Sequence, residues 1–203
     1  MTTTELLLAS SSPYRRQLLA RLGLPFQWAS PNIDEAPQPG ESPASLAVRL
    51  ATGKAQALAA RYPGKLIIGS DQVAALPDGT LLNKPGSHER AAAQLARSSG
   101  QTVRFYTGLA VLDARDSTLH SHCELFDAHF RDLTNEEIEH YLQTEQPYDC
   151  AGSFKMEGLG IALFRGLEGR DPNSLIGLPL IALIDLLRQL GLNPLTRGQA
   201  SGA

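Results

Sequence analysis

The segment Leu6-Leu7-Leu8-Ala9-Ser10-Ser11-Ser12-Pro13-Tyr14-Arg15-Arg16 constrains the fold more than any other stretch of the chain. Its apolar run reads as a buried strand. Ser12 suits a helix N-cap, Pro13 suits the first helical position, and Leu18, Leu19 and Leu22 follow at helical spacing. The unit is therefore strand, hydroxyl-rich turn and helix N-terminus, with two guanidinium groups in the first helical turn. Free backbone N–H groups and the helix dipole favour an anion there. Cations in the same turn work against the dipole, which implies a further partner, and a phosphate supplies one. The loop is not a Walker A loop, because the Gly and Lys-Ser/Thr positions of that pattern are absent. By itself it is equally consistent with a generic strand–turn–helix carrying surface arginines.

Strand and helix patterns continue to alternate. Phe26 to Ala29 reads as a second strand. Ser30 to Pro43 holds four prolines and the acidic pair Asp34-Glu35, which predicts a loop. Ser42-Pro43 repeats the cap signal and opens a helix to about Arg61. Leu66 to Ser70 is a predicted buried strand, and Pro77-Asp78-Gly79 a turn that folds Leu81-Leu82 back as a short hairpin. Ser87 starts a helix to about Ser98. Thr102 to Leu112 and Thr118 to Phe130 read as long strands joined at Arg115-Asp116. Thr134 and Glu137 form a capping box, with Ile138, Tyr141 and Leu142 on one face of the helix that follows. Glycines between Ala151 and Gly177 predict loop, with one strand near Ile161 to Phe164. A last helix, from about Leu178 to Leu190, is apolar on most sides and is expected to be buried or at a subunit contact. Helical crossovers together with hairpin strands imply an α/β fold with a mixed β-sheet and flanking helices. Residues 1–195 read as a single domain, and residues 196–203 as a disordered tail.

Charge and cysteine content narrow the function classes. The net charge of -3 gives no general basic character for nucleic acid or an anionic membrane, so any polyanion site must be local. Cys123 and Cys150 have no pairing signature, so a reducing cytoplasm is the expected compartment. No basic residues precede an apolar core at the N-terminus, and the apolar stretch from Leu178 to Leu187 is too short and is broken by Pro179 and Asp185. Neither a signal peptide nor a membrane span is expected.

Three further groups of residues carry chemistry. Asp71, in Gly69-Ser70-Asp71-Gln72, follows a buried strand, where open α/β sheets bind ligands. A carboxylate there can hold a divalent metal or activate water, or simply cap a turn. Glu35, Lys54 and Lys84 lie in a proline-rich loop, a helix and a pre-proline position, and each alone reads as a solvated charge. Phe154-Lys155-Met156-Glu157-Gly158 reads as a shaped loop. The five histidines show no ligand spacing, and the two cysteines have no convincing base. Trp28, Phe105, Phe126 and Phe130 lie on strand patterns and are expected in the core. Lys155 and Arg170 are further candidates for substrate contact.

Together these stretches resemble the Maf-like nucleoside triphosphate pyrophosphatases, and within them the 7-methyl-GTP pyrophosphatase branch. The resemblance rests on LLLASSSPYRRQLLARLG, SPNIDE, LIIGSDQV, NKPGS, CAGSFKMEGLGIALF and LEGRDPNSLIGLPLIALIDLLR, among others, and spans Leu6 to Leu195. It implies two lobes around a deep cleft, as in inosine triphosphate pyrophosphatases. It also implies hydrolysis between the α- and β-phosphates with a divalent cation, magnesium, manganese or cobalt. By the same resemblance Asp71 is the proton acceptor, Ser10, Arg15 and Arg16 form the phosphate-binding loop, Glu35, Lys54 and Lys84 line the cleft, and Tyr14, Gln72 and Glu157 set substrate choice. On physical grounds Lys54 and Lys84 join the two arginines in neutralising phosphate charge, and Glu35 and Asp71 can hold the metal. The expected partner is a small nucleotide, with no nucleic acid or membrane, and a homodimer is implied.

Physical chemistry is consistent with that assignment. Phosphoanhydride hydrolysis needs positioning and charge neutralisation more than covalent chemistry. A 7-methylated guanine is cationic, so the Glu157 carboxylate attracts it and the Tyr14 ring favours it by cation–π contact, at roughly 0.5–2 kcal/mol. Known members of the branch carry tryptophan where this chain has Tyr14, which predicts weaker stacking rather than a new substrate. The pyrimidine branch has arginine, threonine and glutamine at the positions of Tyr14, Gln72 and Glu157, and this chain has none of the three. The competing expectations are the same reaction on dTTP, UTP or other modified nucleotides, and a non-catalytic cell-division regulator or nucleic-acid-binding module.

Overall fold

The structure, a computed structural model, describes residues 5–197. Its strands are β1 (Leu6–Ala9), β2 (Phe26–Ala29), β3 (Leu66–Ala75), β4 (Thr102–Asp113), β5 (Thr118–Phe130) and β6 (Phe164–Gly169). They form one sheet in the order β2-β1-β3-β4-β5-β6. The first three pair in parallel, and β3 to β6 pair antiparallel, so the sheet is mixed as the sequence implies. The helices are α1 (Pro13–Ala20), α2 (Pro43–Ala59), α3 (His88–Ser98), α4 (Asn135–Glu145), α5 (Asn173–Ile176), α6 (Leu180–Gln189) and α7 (Pro194–Arg197). Among the described residues no helix is long and apolar enough to cross a membrane.

The predicted caps are in place. The Ser12 side chain accepts from the Arg15 N–H, the Ser42 side chain accepts from the Ser45 N–H, and Thr134 and Glu137 satisfy each other's backbone donors. The turn at Pro77-Asp78-Gly79 closes on a bridge between Ala75 and Leu81.

The two parallel crossovers place the ligand crevice. From β1 the chain crosses through α1 to β2 on one side, and from β2 it crosses through α2 to β3 on the other. Helix α1, with α6, covers Leu6, Leu8, Leu66 and Ile68. Helix α2 covers Leu7, Ala9, Ile67 and Ala110 on the opposite face. Strand order therefore reverses at β1, and a crevice opens outside the carboxyl ends of the strands there. Helix α2 lies unusually close to the sheet. A Cβ at Gly69 or Gly108 would collide with the backbone carbonyls of Ala51 and Ala47 respectively. A third apolar cluster fills the far side, where Phe105, Phe130, Phe154 and Phe164 meet edge to face beneath α3 and α4.

Several boundaries differ from the sequence expectation. β3 does not end at Ser70. It runs on to Ala75, because β4 pairs with it along its whole length, from Leu66–Asp113 to Ala75–Arg104. The last strand is Phe164–Gly169 rather than Ile161 to Phe164, and Leu159–Leu163 is a 3-10 turn. Pairing with Phe126–Phe130 imposes extended backbone on Arg165-Gly166-Leu167-Glu168-Gly169, which has little strand propensity of its own. The C-terminal helix begins at Leu180 and is preceded by the separate turn α5, which ends at Gly177 with φ +120°. Its buried leucines pack on the sheet. Trp28 is 50% exposed instead of core, since β2 is an edge strand. Thr196 and Arg197, expected in the tail, close α7. Residues 198–203 of that expected tail lie outside the described residues.

Candidate active site

A cavity of about 630 Å³ occupies the crevice between β1 and β3. The Ser10–Arg15 turn after β1, the Ser30–Pro37 loop after β2, and Lys54 on α2 all line it. Asp71 and Gln72 of β3 complete the floor. Asp71 is not at a strand end, as the sequence suggests. β1 stops at Ala9, which pairs with Gly69, while β3 continues. Asp71 therefore lies two residues beyond its shorter neighbour, beside the crevice.

The charged groups form a chain. Lys54 is buried, and its ammonium lies 2.5 Å from Asp71 Oδ1 and 2.7 Å from Glu35 Oε1. The second oxygen of each carboxylate makes no hydrogen bond among the described residues. Burial works to raise the Glu35 carboxyl, but the Lys54 hydrogen bond and charge, with Lys84 and Arg15, hold it below its ordinary value. Arg15 donates from Nε to the Gly177 carbonyl at 2.7 Å, and its two terminal nitrogens have no hydrogen-bond partner among the described residues. Burial pulls the Arg15 guanidinium below its ordinary value, opposed by the charges of Asp71 and Glu35. Lys84 is exposed at the rim, and Ser10 is buried, its hydroxyl accepting from the Ser12 N–H.

Arg16 departs from the sequence expectation. It does not line the cavity, because successive helical positions diverge by about 100°. Its guanidinium instead lies 4.3 Å from the Trp28 ring centre.

The other end of the cavity is acidic and aromatic. Tyr14, Asp149, Cys150, Phe154, Met156 and Glu157 line it. Burial first, then the neighbouring acidic groups Cys150, Asp149, Glu157 and Glu145, which disfavour a further negative charge, push the Tyr14 phenol up. Gln72 lines the cavity, yet its amide nitrogen is spent on the Ser174 carbonyl (2.7 Å), the Leu175 carbonyl (3.2 Å) and Thr107 Oγ1 (3.3 Å). Neither Lys155 nor Arg170 lines the cavity. Lys155 donates to the Glu145 carbonyl, and Arg170 pairs with Glu124 and Asp185. Among the described residues no three His, Cys, Asp or Glu side chains gather as a metal cage.

The profile of the Maf-like protein family matches residues 5–190. The chain belongs to the Maf-like family. A curated relative from Chromohalobacter salexigens, a 7-methyl-GTP pyrophosphatase, is 59% identical over 192 residues, covering 95% of this chain and 99% of that one. Among solved structures, a HAM1 protein from Coxiella burnetii aligns with a TM-score of 0.53 at 14% identity, covering 92% of this chain and 100% of that one. That likeness is one of fold.

Sequence reasoning missed several residues of this Maf-like cavity. Asp149, Cys150, Asn83 and Met156 lie on loops, and although the last three fall inside the quoted family stretches, no chemistry of their own singles them out. Gly177 contributes a carbonyl, which no side-chain pattern announces. Cys150 is no nucleophile in waiting, since burial and then Asp149 push its thiol up to about 12. With so little thiolate, its alkylation by iodoacetamide at pH 8 is expected to run more than about 100-fold slower in the folded than in the unfolded protein. Peptide mass mapping over time checks this, and similar rates in both states would contradict it.

Proposed function

We propose that this protein hydrolyses the α–β phosphoanhydride of 7-methyl-GTP, releasing 7-methyl-GMP and pyrophosphate. One observation carries the reading: a single cavity joins a cationic end, built from Arg15, Lys54 and Lys84, to an acidic aromatic end, built from Tyr14, Asp149 and Glu157. The first end suits a triphosphate. The second suits a base that carries positive charge. The highly identical relative that acts on 7-methyl-GTP supports the same assignment.

In this reading Asp71 accepts the proton of the attacking water. Lys54 holds the Asp71 carboxylate in place and, with Arg15 and Lys84, offsets charge on the phosphates and on the departing pyrophosphate. Tyr14 and Glu157 orient the base. A divalent cation fits the remaining donors, because Asp71 and Glu35 each keep one carboxylate oxygen free of hydrogen bonds. Two carboxylates plus substrate phosphates are the usual way magnesium is held. When bound, the cation supplies charge neutralisation on the phosphoryl oxygens. The same reading treats residues 1–195 as one catalytic domain, since β3 and β4 each run from the apolar cluster under α1 and α6 into the phenylalanine cluster.

The test is pyrophosphate release from 7-methyl-GTP, GTP, dTTP and UTP, with magnesium, manganese or cobalt. The highest kcat/KM is expected for 7-methyl-GTP. A preference for dTTP or UTP would overturn the base assignment, and no release from any of them would overturn the reaction.

A further inference from the structure

Arg15 is aimed by a short piece of backbone that is itself riveted to the sheet. Its Nε donates to the Gly177 carbonyl at the end of α5. The buried Ser70 hydroxyl lies within donating distance of that same carbonyl (3.0 Å) and of the Gly108 carbonyl (2.8 Å). One turn earlier, the buried Thr107 hydroxyl donates to the Ser174 carbonyl at 2.9 Å and accepts from the Gln72 amide. That amide also reaches the Ser174 and Leu175 carbonyls. Three neighbouring side chains on β3 and β4 thus hold three carbonyls of the five-residue turn 173–177.

We propose that the 173–177 turn is the positioning element for the Arg15 guanidinium, and that Ser70 and Thr107 are positioning residues acting through it. With Nε fixed on Gly177, the two terminal nitrogens of Arg15 are held toward Asp71 and the phosphates. Gln72 then acts on the site through this turn rather than by offering its amide nitrogen to the base. The inference rests on the phosphate role proposed for Arg15, and its test is independent of the base and of hydrolysis.

The probe is inorganic pyrophosphate with magnesium chloride, its binding measured by calorimetry. Thr107→Val keeps shape and removes the hydroxyl, and Thr107→Ser keeps the hydroxyl. Thr107→Val is expected to weaken pyrophosphate binding about five-fold, the loss of roughly one hydrogen bond, while Thr107→Ser stays within about two-fold of the parent. Arg15→Lys lacks the Nε that bonds Gly177, so Thr107→Val placed on that background should add less than about two-fold, a non-additive pair. Ser70→Ala should show the same dependence on Arg15. Equal weakening in both backgrounds, unchanged binding in Thr107→Val, or no pyrophosphate binding by the parent protein would each overturn the inference. If the parent binds pyrophosphate but hydrolyses no triphosphate, the proposed function fails and the positioning role stands.

Discussion

Asp71→Asn is expected to fold as the parent does and to hydrolyse 7-methyl-GTP about 10²–10⁴-fold more slowly, the range removed with a positioned general base. The fold should survive because the two side chains share a shape and Asp71 takes part in no apolar cluster. Its backbone pairs with Gly108, which no side-chain change disturbs. The Lys54 ammonium at 2.5 Å keeps an oxygen to bond in the variant. What disappears is the group able to take a proton from water and half of the carboxylate pair that faces Lys54. Single-turnover rates and a melting curve, measured side by side, decide the matter. Turnover near the parental value in a folded variant would remove Asp71 from the mechanism.

Gly108→Ala and Gly69→Ala are expected to be among the most damaging single methyl additions to stability. At both positions the new Cβ would strike a backbone carbonyl of α2 rather than a side chain that can turn aside. Relief requires α2 to lift from β3 and β4, the strands that carry the two glycines. Overpacking of this kind costs about 1–3 kcal/mol, or a melting temperature lower by about 2–12 °C in a chain of this size. Helix α2 carries Lys54, so lifting it also draws the ammonium away from Asp71, and turnover should fall together with stability. Differential scanning calorimetry paired with the hydrolysis assay checks both effects. Unchanged melting in either variant would mean that α2 packs less closely than the structure shows.

Much of the fold is legible in the chain because local chemistry dictates it. Ser12-Pro13, Ser42-Pro43, Ser87 and the Thr134–Glu137 pair each bond the orphan donors of their own helix, so three or four residues suffice to mark a start. β5 and the turn before it are equally local. Boundaries set by partners are not. β3 runs through Asp71 and Gln72 because β4 supplies matching hydrogen bonds, and β6 exists because β5 presents an edge.

The site divides in the same way. Residue types able to bind phosphate and activate water are written in the sequence at Arg15, Lys54, Asp71 and Lys84, and the family motif names them. Which guanidinium faces the cavity is decided by helix rotation and by the Trp28 ring that takes up Arg16. That Lys54 reaches both Glu35 and Asp71 depends on α2 settling against two glycines. The Gly177 carbonyl holding Arg15 is a backbone atom brought from 162 positions away. The chain alone determined which elements form and which chemistry is available, because caps and apolar periodicity act over a few residues. Only the tertiary structure decided which of those groups meet, because contacts between distant segments depend on strand order and on how closely a helix can approach the sheet.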